Sequence, residues 1–284
     1  MLGKLLSQRH GFRCTVLFAI DKEHGFINPN ENANIPGLEA LDTADLMIIA
    51  TRFRDLPDDQ FRPILDYIKQ GKPVIGLRTA THAFNTQSRF GDYDWNQFGL
   101  NVLGEKWVNH HGHHGKEGGR GVIEPAHSEH PILNGVDDVF VQSDIYTVKN
   151  LDESQAAVLL RGAVTVTLDP ASEIIDGPKN DPMMALAWLR AYDTPNGGTG
   201  RAFATTAGAA IDFESDDLRR LIVNACYHLL GLDVPTQADC EPVDEYSPSF
   251  FGFINENDFF KKRNMRVKDF ALGSSANTIP RESK

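Results

Sequence analysis

Apolar and polar positions alternate along this chain in blocks that predict an α/β fold. Nearly continuous apolar runs predict strands at residues 13–20, 45–50 and 74–77, and such runs are typical of strands covered on both faces, as in parallel sheets. Helical spacing of apolar residues predicts helices over residues 2–10, 55–70 and 215–230. The strand–helix order in the first part of the chain indicates right-handed crossovers within a parallel sheet.

The middle of the chain predicts shorter strands, some of them antiparallel. They are expected at residues 120–124, 145–148, 157–160, 164–168, 185–189 and 201–206, with a turn at 196–198 between the last two. Residues 1–231 make up one predicted domain. Residues 232–284 are rich in proline, phenylalanine and polar side chains, which predicts an extended arm that packs through Phe250, Phe251 and Phe253 and ends in disorder beyond about residue 272.

The chain begins with a predicted helix, whereas a sheet of this kind ordinarily begins with a strand. We therefore expect the first strand to be missing from the sequence as given. The sequence as given shows no signal peptide and predicts a cytoplasmic protein, and export stays open if the N-terminus is incomplete.

Composition excludes several classes of partner. The net charge is −11, which argues against nucleic acid or an anionic membrane, since both require clustered Lys and Arg. No apolar stretch approaches the roughly 20 residues that span a bilayer. Three widely separated cysteines predict neither a disulfide framework nor a CxxC metal site. A small-molecule ligand is the expected partner, and a homo-oligomer stays open.

Polar side chains follow the predicted strands where those strands end. Asp21 and His24 follow the first, Arg52 the second, the trio Arg78, Thr79 and His82 the third, and Thr206 the last. Ligands of open parallel sheets bind beyond the carboxyl ends of the strands, so these groups are expected to converge on one cleft.

Residues 110–114 contain four of the ten histidines of the chain, flanked by glycines and by Trp107. In a helical turn His110, His113 and His114 share a face, whereas in extended chain His111 and His113 do. Imidazole binds metals and exchanges protons near neutral pH. A zinc-type site at His110, His111 and His113 is therefore one interpretation, and histidines that line a cleft as hydrogen-bonding or acid/base groups are another.

Nucleophilic catalysis is not predicted. There is no GxSxG motif, and Arg78 occupies the strand-to-helix position where a nucleophile would sit. A P-loop and a GxGxxG motif are also absent from the sequence.

Six blocks in order resemble the trehalose-utilisation (ThuA-like) family: GKPVIGLRTATHAF, LGEKWVNHHGHHG, RGVIEPAHSEHPILNGV, NDPMMALAW, GRAFATTAGA and LRRLIVNACYHLLGL. The tail EYSPSFFGFINENDFFKK is similar to that of the planctomycete-type branch. The resemblance implies a flavodoxin-like, class I glutamine amidotransferase-like sheet flanked by helices, and a role in the use of trehalose or related disaccharides at the keto-sugar stage.

The resemblance also places Arg78 where amidotransferases have their cysteine, and Ala209-Ala210 where a histidine is frequent, so glutamine hydrolysis is not expected. We expect histidine acid/base chemistry on a sugar or keto-sugar, with His82 and His111 transferring protons and Arg78 holding an oxygen. The expected substrate-binding residues are Asp21, His24, Arg52, Thr79, His110, His113 and Thr206. A non-catalytic carbohydrate-binding or assembly module and a metal-dependent hydrolase are the alternatives.

Overall fold

The computed structural model describes residues 1–256 and 258–274 and contains one mixed sheet. Its seven strands are β1 (Met47–Ile49), β2 (Val74–Leu77), β3 (Gly119–Ile123), β4 (Phe140–Val141), β5 (Ala156–Val164), β6 (Met184–Asp193) and β7 (Thr199–Thr205), in the order β1-β2-β7-β6-β5-β3-β4. β1, β2 and β7 pair in parallel, and every other neighbouring pair is antiparallel. The α/β class is confirmed, and the parallel part of the sheet is limited to three strands.

Helices cover both faces of this sheet. They are α1 (Leu2–His10), α2 (Asp58–Lys69), α3 (Asp216–Leu229) and the short α4 (Phe259–Arg263). One buried cluster joins α2 to alternate strand residues such as Val74 and Ala204, and a second joins α1 and α3 to Ile75 and Phe203. Because neighbouring residues of a strand point to opposite faces, these two clusters are the two sides of one sheet.

Residues that favour helix ends stand at the start of α3 and at the end of α1. The Ser215 hydroxyl accepts a hydrogen bond from the backbone N–H of Leu218 at the start of α3, and Asp216 and Asp217 occupy its first turn. Gly11 ends α1 with a φ of 72°, in the left-handed region that glycine enters without steric cost. The predicted helices and the strands at 45–50, 74–77, 120–124, 185–189 and 201–206 are confirmed within a few residues.

Three of the predicted strands are wrong. Residues 13–20 form no strand apart from an isolated bridge at Ile20. Val16 is 51% exposed, Phe18 packs on Phe270, and the backbone N–H of Ile20 donates to Asn34 O, so the run contacts loops and the arm instead of pairing with a neighbouring strand. Residues 145–148 also lie outside the sheet, although Tyr146 makes a single bridge to His110. The predicted strand 164–168 is the third, because β5 ends at Val164 and Thr165 makes only an isolated bridge to Ile174, whereas the predicted strand 157–160 lies within β5.

The segment after α3 is extended and contacts several parts of the fold. Lys4 pairs with Asp244, and the Tyr246 hydroxyl donates to the carbonyl of Ala210. Farther along, the side-chain amide of Asn30 donates to Ile254 O, and the backbone N–H of Ile27 donates to Met265 O. The predicted disordered end falls mostly on residues 275–284, outside the described residues. Within the described ranges, no helix has the length and apolar character to cross a membrane.

Candidate functional site

The carboxyl ends of the three parallel strands meet at one edge of the sheet, and the chain after β2 turns sharply there. The 3₁₀ turn Arg78–His82 follows β2 directly, and Arg78 has a φ of 38°, a left-handed conformation that is rare for a residue with a side chain. Gly208, just after β7, has a φ of 130° and passes close to Leu77 and Arg78. The turn therefore brings both Arg78 and His82 to the carboxyl end of β2.

The Arg78 side chain is 5% exposed and is committed to protein acceptors. Nη1 donates to the backbone oxygens of Asp144 (3.1 Å) and Thr206 (2.9 Å), and Nη2 donates to Ser143 O and to Asp144 Oδ1 (3.1 Å). The guanidinium also lies 4.3 Å from the ring centre of Tyr146. These contacts use both terminal nitrogens, so the geometry supports a positioning role for Arg78 rather than a direct contact with a substrate oxygen.

Asp144 is the centre of a group of donors. Its side chain has no exposed surface, and Oδ2 lies 2.8 Å from His110 Nδ1 and 2.6 Å from His114 Nδ1. The two imidazole rings stack with their centres 4.0 Å apart. A carboxylate accepts hydrogen bonds, so each Nδ1 carries the proton and each Nε2 faces away from Asp144. Arg78, His82, His110, His114 and Asp144 are called the strand-end cluster below.

Asp212, which is 1% exposed, stabilises the loop that carries Asp144 through hydrogen bonds. Asp212 accepts from the Ser143 hydroxyl (2.5 Å) and backbone N–H (2.9 Å), and from the backbone N–H groups of Gly208 and Ala209 (both 2.9 Å). One buried carboxylate thus joins the loop before Asp144 to the loop after β7.

His82 is a neutral imidazole with a defined tautomer. The Thr81 hydroxyl donates to Arg78 O at 3.1 Å, so it accepts at its oxygen from His82 Nδ1–H at 3.2 Å, which leaves Nε2 without a proton. Burial, followed by the positive charges of Arg52 and Arg78, lowers the pKa of His82 to about 4. The ring is surrounded by Phe53, Trp107 and Tyr146, with centres 5.0, 5.5 and 6.2 Å away.

Arg52 contributes a cation close to His82. Its guanidinium lies between two rings, 4.5 Å from the centre of Phe53 and 3.8 Å from that of Phe253. Burial lowers its pKa, yet the group stays charged at neutral pH. In the described part of the chain, no carboxylate or carbonyl accepts a hydrogen bond from it. Arg52 is therefore the side chain best placed to meet a ligand oxygen.

The other predicted site residues lie at the margin or elsewhere. His111 Nε2 donates to Lys179 O at 2.6 Å, and the exposed His113 bonds through its backbone N–H to Glu117. Asp21 and His24 pair with each other in an exposed turn, and hydrogen bonds to the His24 N–H and ring hold the pKa of Asp21 below its usual range. Thr79 donates to Ala50 O, and the Thr206 hydroxyl is buried, with no hydrogen-bond partner among the described residues.

Three potential metal ligands lie together here, and they differ from the three that the sequence predicted. His110, His114 and Asp144 offer ligand atoms within 4.8 Å of one another, whereas His111 and His113 are not part of this group. Arg78 places a permanent positive charge 3.1 Å from the same carboxylate. That charge opposes a divalent ion, so the arrangement fits a hydrogen-bonded His–Asp–His group better than a metal site.

Sequence reasoning missed Asp144 and Tyr146, and it grouped His114 with His110 and His113 in a helical turn without including His114 among the expected site residues. The available signal was Gln142-Ser143-Asp144, a short polar run between the apolar residues 139–141 and Ile145-Tyr146. A buried carboxylate in such a segment requires donors. The identity of those donors depends on contacts across 30 or more residues of chain, which local spacing does not encode.

A model of the trehalose-utilisation (ThuA) family matches residues 14–229. Among solved structures, a ThuA-like protein from Parabacteroides merdae ATCC 43184 is 15% identical, with a TM-score of 0.50 over 82% of this chain and 85% of that one. A ThuA-like protein from Bacteroides uniformis ATCC 8492 is 12% identical, with a TM-score of 0.42 over 71% and 74% of the two chains. No curated protein matches the chain.

The family match agrees with the resemblance noted in the sequence, and the similarity to the Parabacteroides merdae structure agrees with a flavodoxin-like sheet flanked by helices. The family model covers β1 to α3 and therefore the whole strand-end cluster, whereas the arm lies beyond its last matched residue. The chain belongs to the trehalose-utilisation (ThuA) family.

Proposed function

We propose that this protein is an enzyme that moves a proton at a carbon next to the carbonyl group of a keto-sugar. The family gives a carbohydrate-related role. The observation that carries the chemistry is the unprotonated Nε2 of His82 close to the guanidinium of Arg52, which donates to no oxygen among the described residues.

The step begins with a C–H bond that the adjacent carbonyl makes acidic. His82 Nε2 takes the proton, the C–H electron pair moves into the C–C bond, and the carbonyl oxygen becomes an enolate oxygen. Arg52 stabilises that negative charge. Burial is the main cause of the lowered pKa of His82, and the positive charges of Arg52 and Arg78 add to it. These charges also stabilise the enolate anion, which offsets the weak basicity of the imidazole.

His110 supplies a second acid/base group. Asp144 fixes its ring so that Nε2 points away from the carboxylate, and Tyr146 lies between it and His82, with ring centres 5.5 and 6.2 Å from the two imidazoles. A proton returned at another atom of the enolate would complete an isomerisation or an elimination. The role first assigned to His111 thus passes to His110.

Exchange of substrate hydrogens with solvent deuterium tests this proposal. The protein is incubated in D₂O with a keto-derivative of trehalose, and the C–H signals next to the carbonyl are followed by proton NMR. The wild type is expected to speed their loss, and His82→Gln to reduce that rate at least about 100-fold. His113→Gln, an exposed histidine outside the cluster, is the matched control. No exchange by the wild type, or full exchange by His82→Gln, would contradict the proposal, and binding without exchange would favour a carbohydrate-binding module.

A further inference from the structure

Two exposed aromatic rings lie next to the strand-end cluster. Trp107 is 37% exposed and its ring centre is 5.5 Å from that of His82. Phe253 is 61% exposed and covers Arg52, which in turn lies on Phe53, a direct neighbour of His82. Exposed apolar side chains beside polar groups are typical of ligand sites.

The second ring is supplied by the arm. Between the anchors at Tyr246 and at Ile254, the arm crosses the carboxyl edge of the sheet and places Phe251 on His114, with ring centres 4.7 Å apart. Phe253 follows two residues later, on Arg52. Both contacts join arm residues outside the matched family region to side chains of the candidate site. The arm is therefore part of the wall of this site.

We propose that Trp107 and Phe253 are substrate-binding residues that each hold one ring of a disaccharide. This inference rests on the proposed function for its class of ligand. A pyranose ring presents a C–H face that packs on an aromatic ring and hydroxyl groups that bond to charged side chains. Trp107 takes the ring whose carbonyl faces His82, and Phe253 takes the second ring, beyond Arg52.

Affinities for two ligands of different size distinguish the role of Trp107 from that of Phe253. Isothermal titration calorimetry is performed with keto-trehalose and with the corresponding keto-glucose. Phe253→Ala is expected to weaken binding of the disaccharide about tenfold and to leave the monosaccharide unchanged, because only the disaccharide has a second ring. Trp107→Ala is expected to weaken both. Phe253→Tyr keeps a ring and should retain binding, and Leu232→Ala, an exposed apolar residue at the start of the arm, is the control.

In the wild type, the fluorescence of Trp107 also reports ligand binding. Of the three tryptophans, Trp95 and Trp188 are fully buried, so acrylamide quenches the fluorescence of Trp107 selectively, and bound disaccharide should protect it. Equal losses for both ligands in Phe253→Ala, no loss for either, or no binding by the wild type would overturn the inference. Binding that follows the expected pattern without deuterium exchange would instead leave the inference standing and refute the proposed chemistry.

Discussion

His114 donates from Nδ1 to Oδ2 of Asp144 across 2.6 Å, and that carboxylate has no exposed surface. The other carboxylate oxygen faces Arg78 at 3.1 Å, so the buried negative charge is balanced by a buried guanidinium. Removing one partner of such a pair leaves an uncompensated charge in the interior, which is more costly than the pair is worth.

Asp144→Asn should therefore lower the free energy of unfolding by about 3 kcal/mol, because Arg78 loses its counter-ion and the two histidines lose their acceptor. Urea denaturation measures the change. The control is Asp138→Asn, which removes the exposed ion pair with Arg120 and should change stability by about 0.5 kcal/mol or less. Similar losses in the two variants would mean that the Arg78–Asp144 pair is not a structural centre.

The lowered pKa of His82 predicts a pH-dependent stability. Unfolded histidine binds a proton near pH 6.5, whereas His82 in the folded protein does so near pH 4. The unfolded state thus holds more protons between these values, and stability falls as the pH decreases through that window. The wild type should lose unfolding free energy between pH 6.5 and pH 4, and His82→Gln should lose roughly 1–3 kcal/mol less over the same range.

Urea titrations at several pH values measure this slope. His130, whose pKa is also lowered to about 4, chiefly by burial, is present in both proteins, so the difference between their slopes reports His82 alone. His113→Gln should keep the wild-type slope. An unchanged slope in His82→Gln would show that His82 is solvated in the folded state.

The positive charge of Arg78 next to Asp144 predicts a low zinc content. Because Arg78 already neutralises this carboxylate, purified protein should contain well under one zinc ion per chain, and treatment with EDTA should change neither its melting temperature nor its deuterium exchange. Elemental analysis and thermal denaturation check this. Stoichiometric zinc whose removal lowers the melting temperature would restore the metal-dependent hydrolase as the better interpretation.

His110 and His111 are neighbours in sequence with different surroundings. His110→Gln should reduce the exchange rate about 100-fold, since it removes an imidazole oriented by Asp144. His111→Gln should leave the rate within about threefold, because its Nε2 is bonded to Lys179 O away from the cluster. The measurement is the same NMR exchange assay, with melting temperatures as a check on folding. A large loss in His111→Gln alone would return proton transfer to that residue.

The sequence predicted the elements that burial dictates. Apolar runs identified β1, β2 and β7, and the helical spacing of apolar residues identified α1, α2 and α3, because these signals are local. Residues 13–20 misled the prediction, since an apolar run indicates burial but not the strand that pairs with it. At the site, His82 and Arg52 could be predicted from their places at strand ends. The choice among the clustered histidines depended on Asp144, which only the tertiary fold brings to them.

The arm and the sheet meet at the candidate site through side chains, Phe253 on Arg52 and Phe251 on His114. The inner and outer parts of the candidate site therefore come from two separate stretches of sequence. Exchanging the short segment that carries Phe251 and Phe253 should change which ligands the site accepts, while Arg52, His82 and Asp144 keep their places.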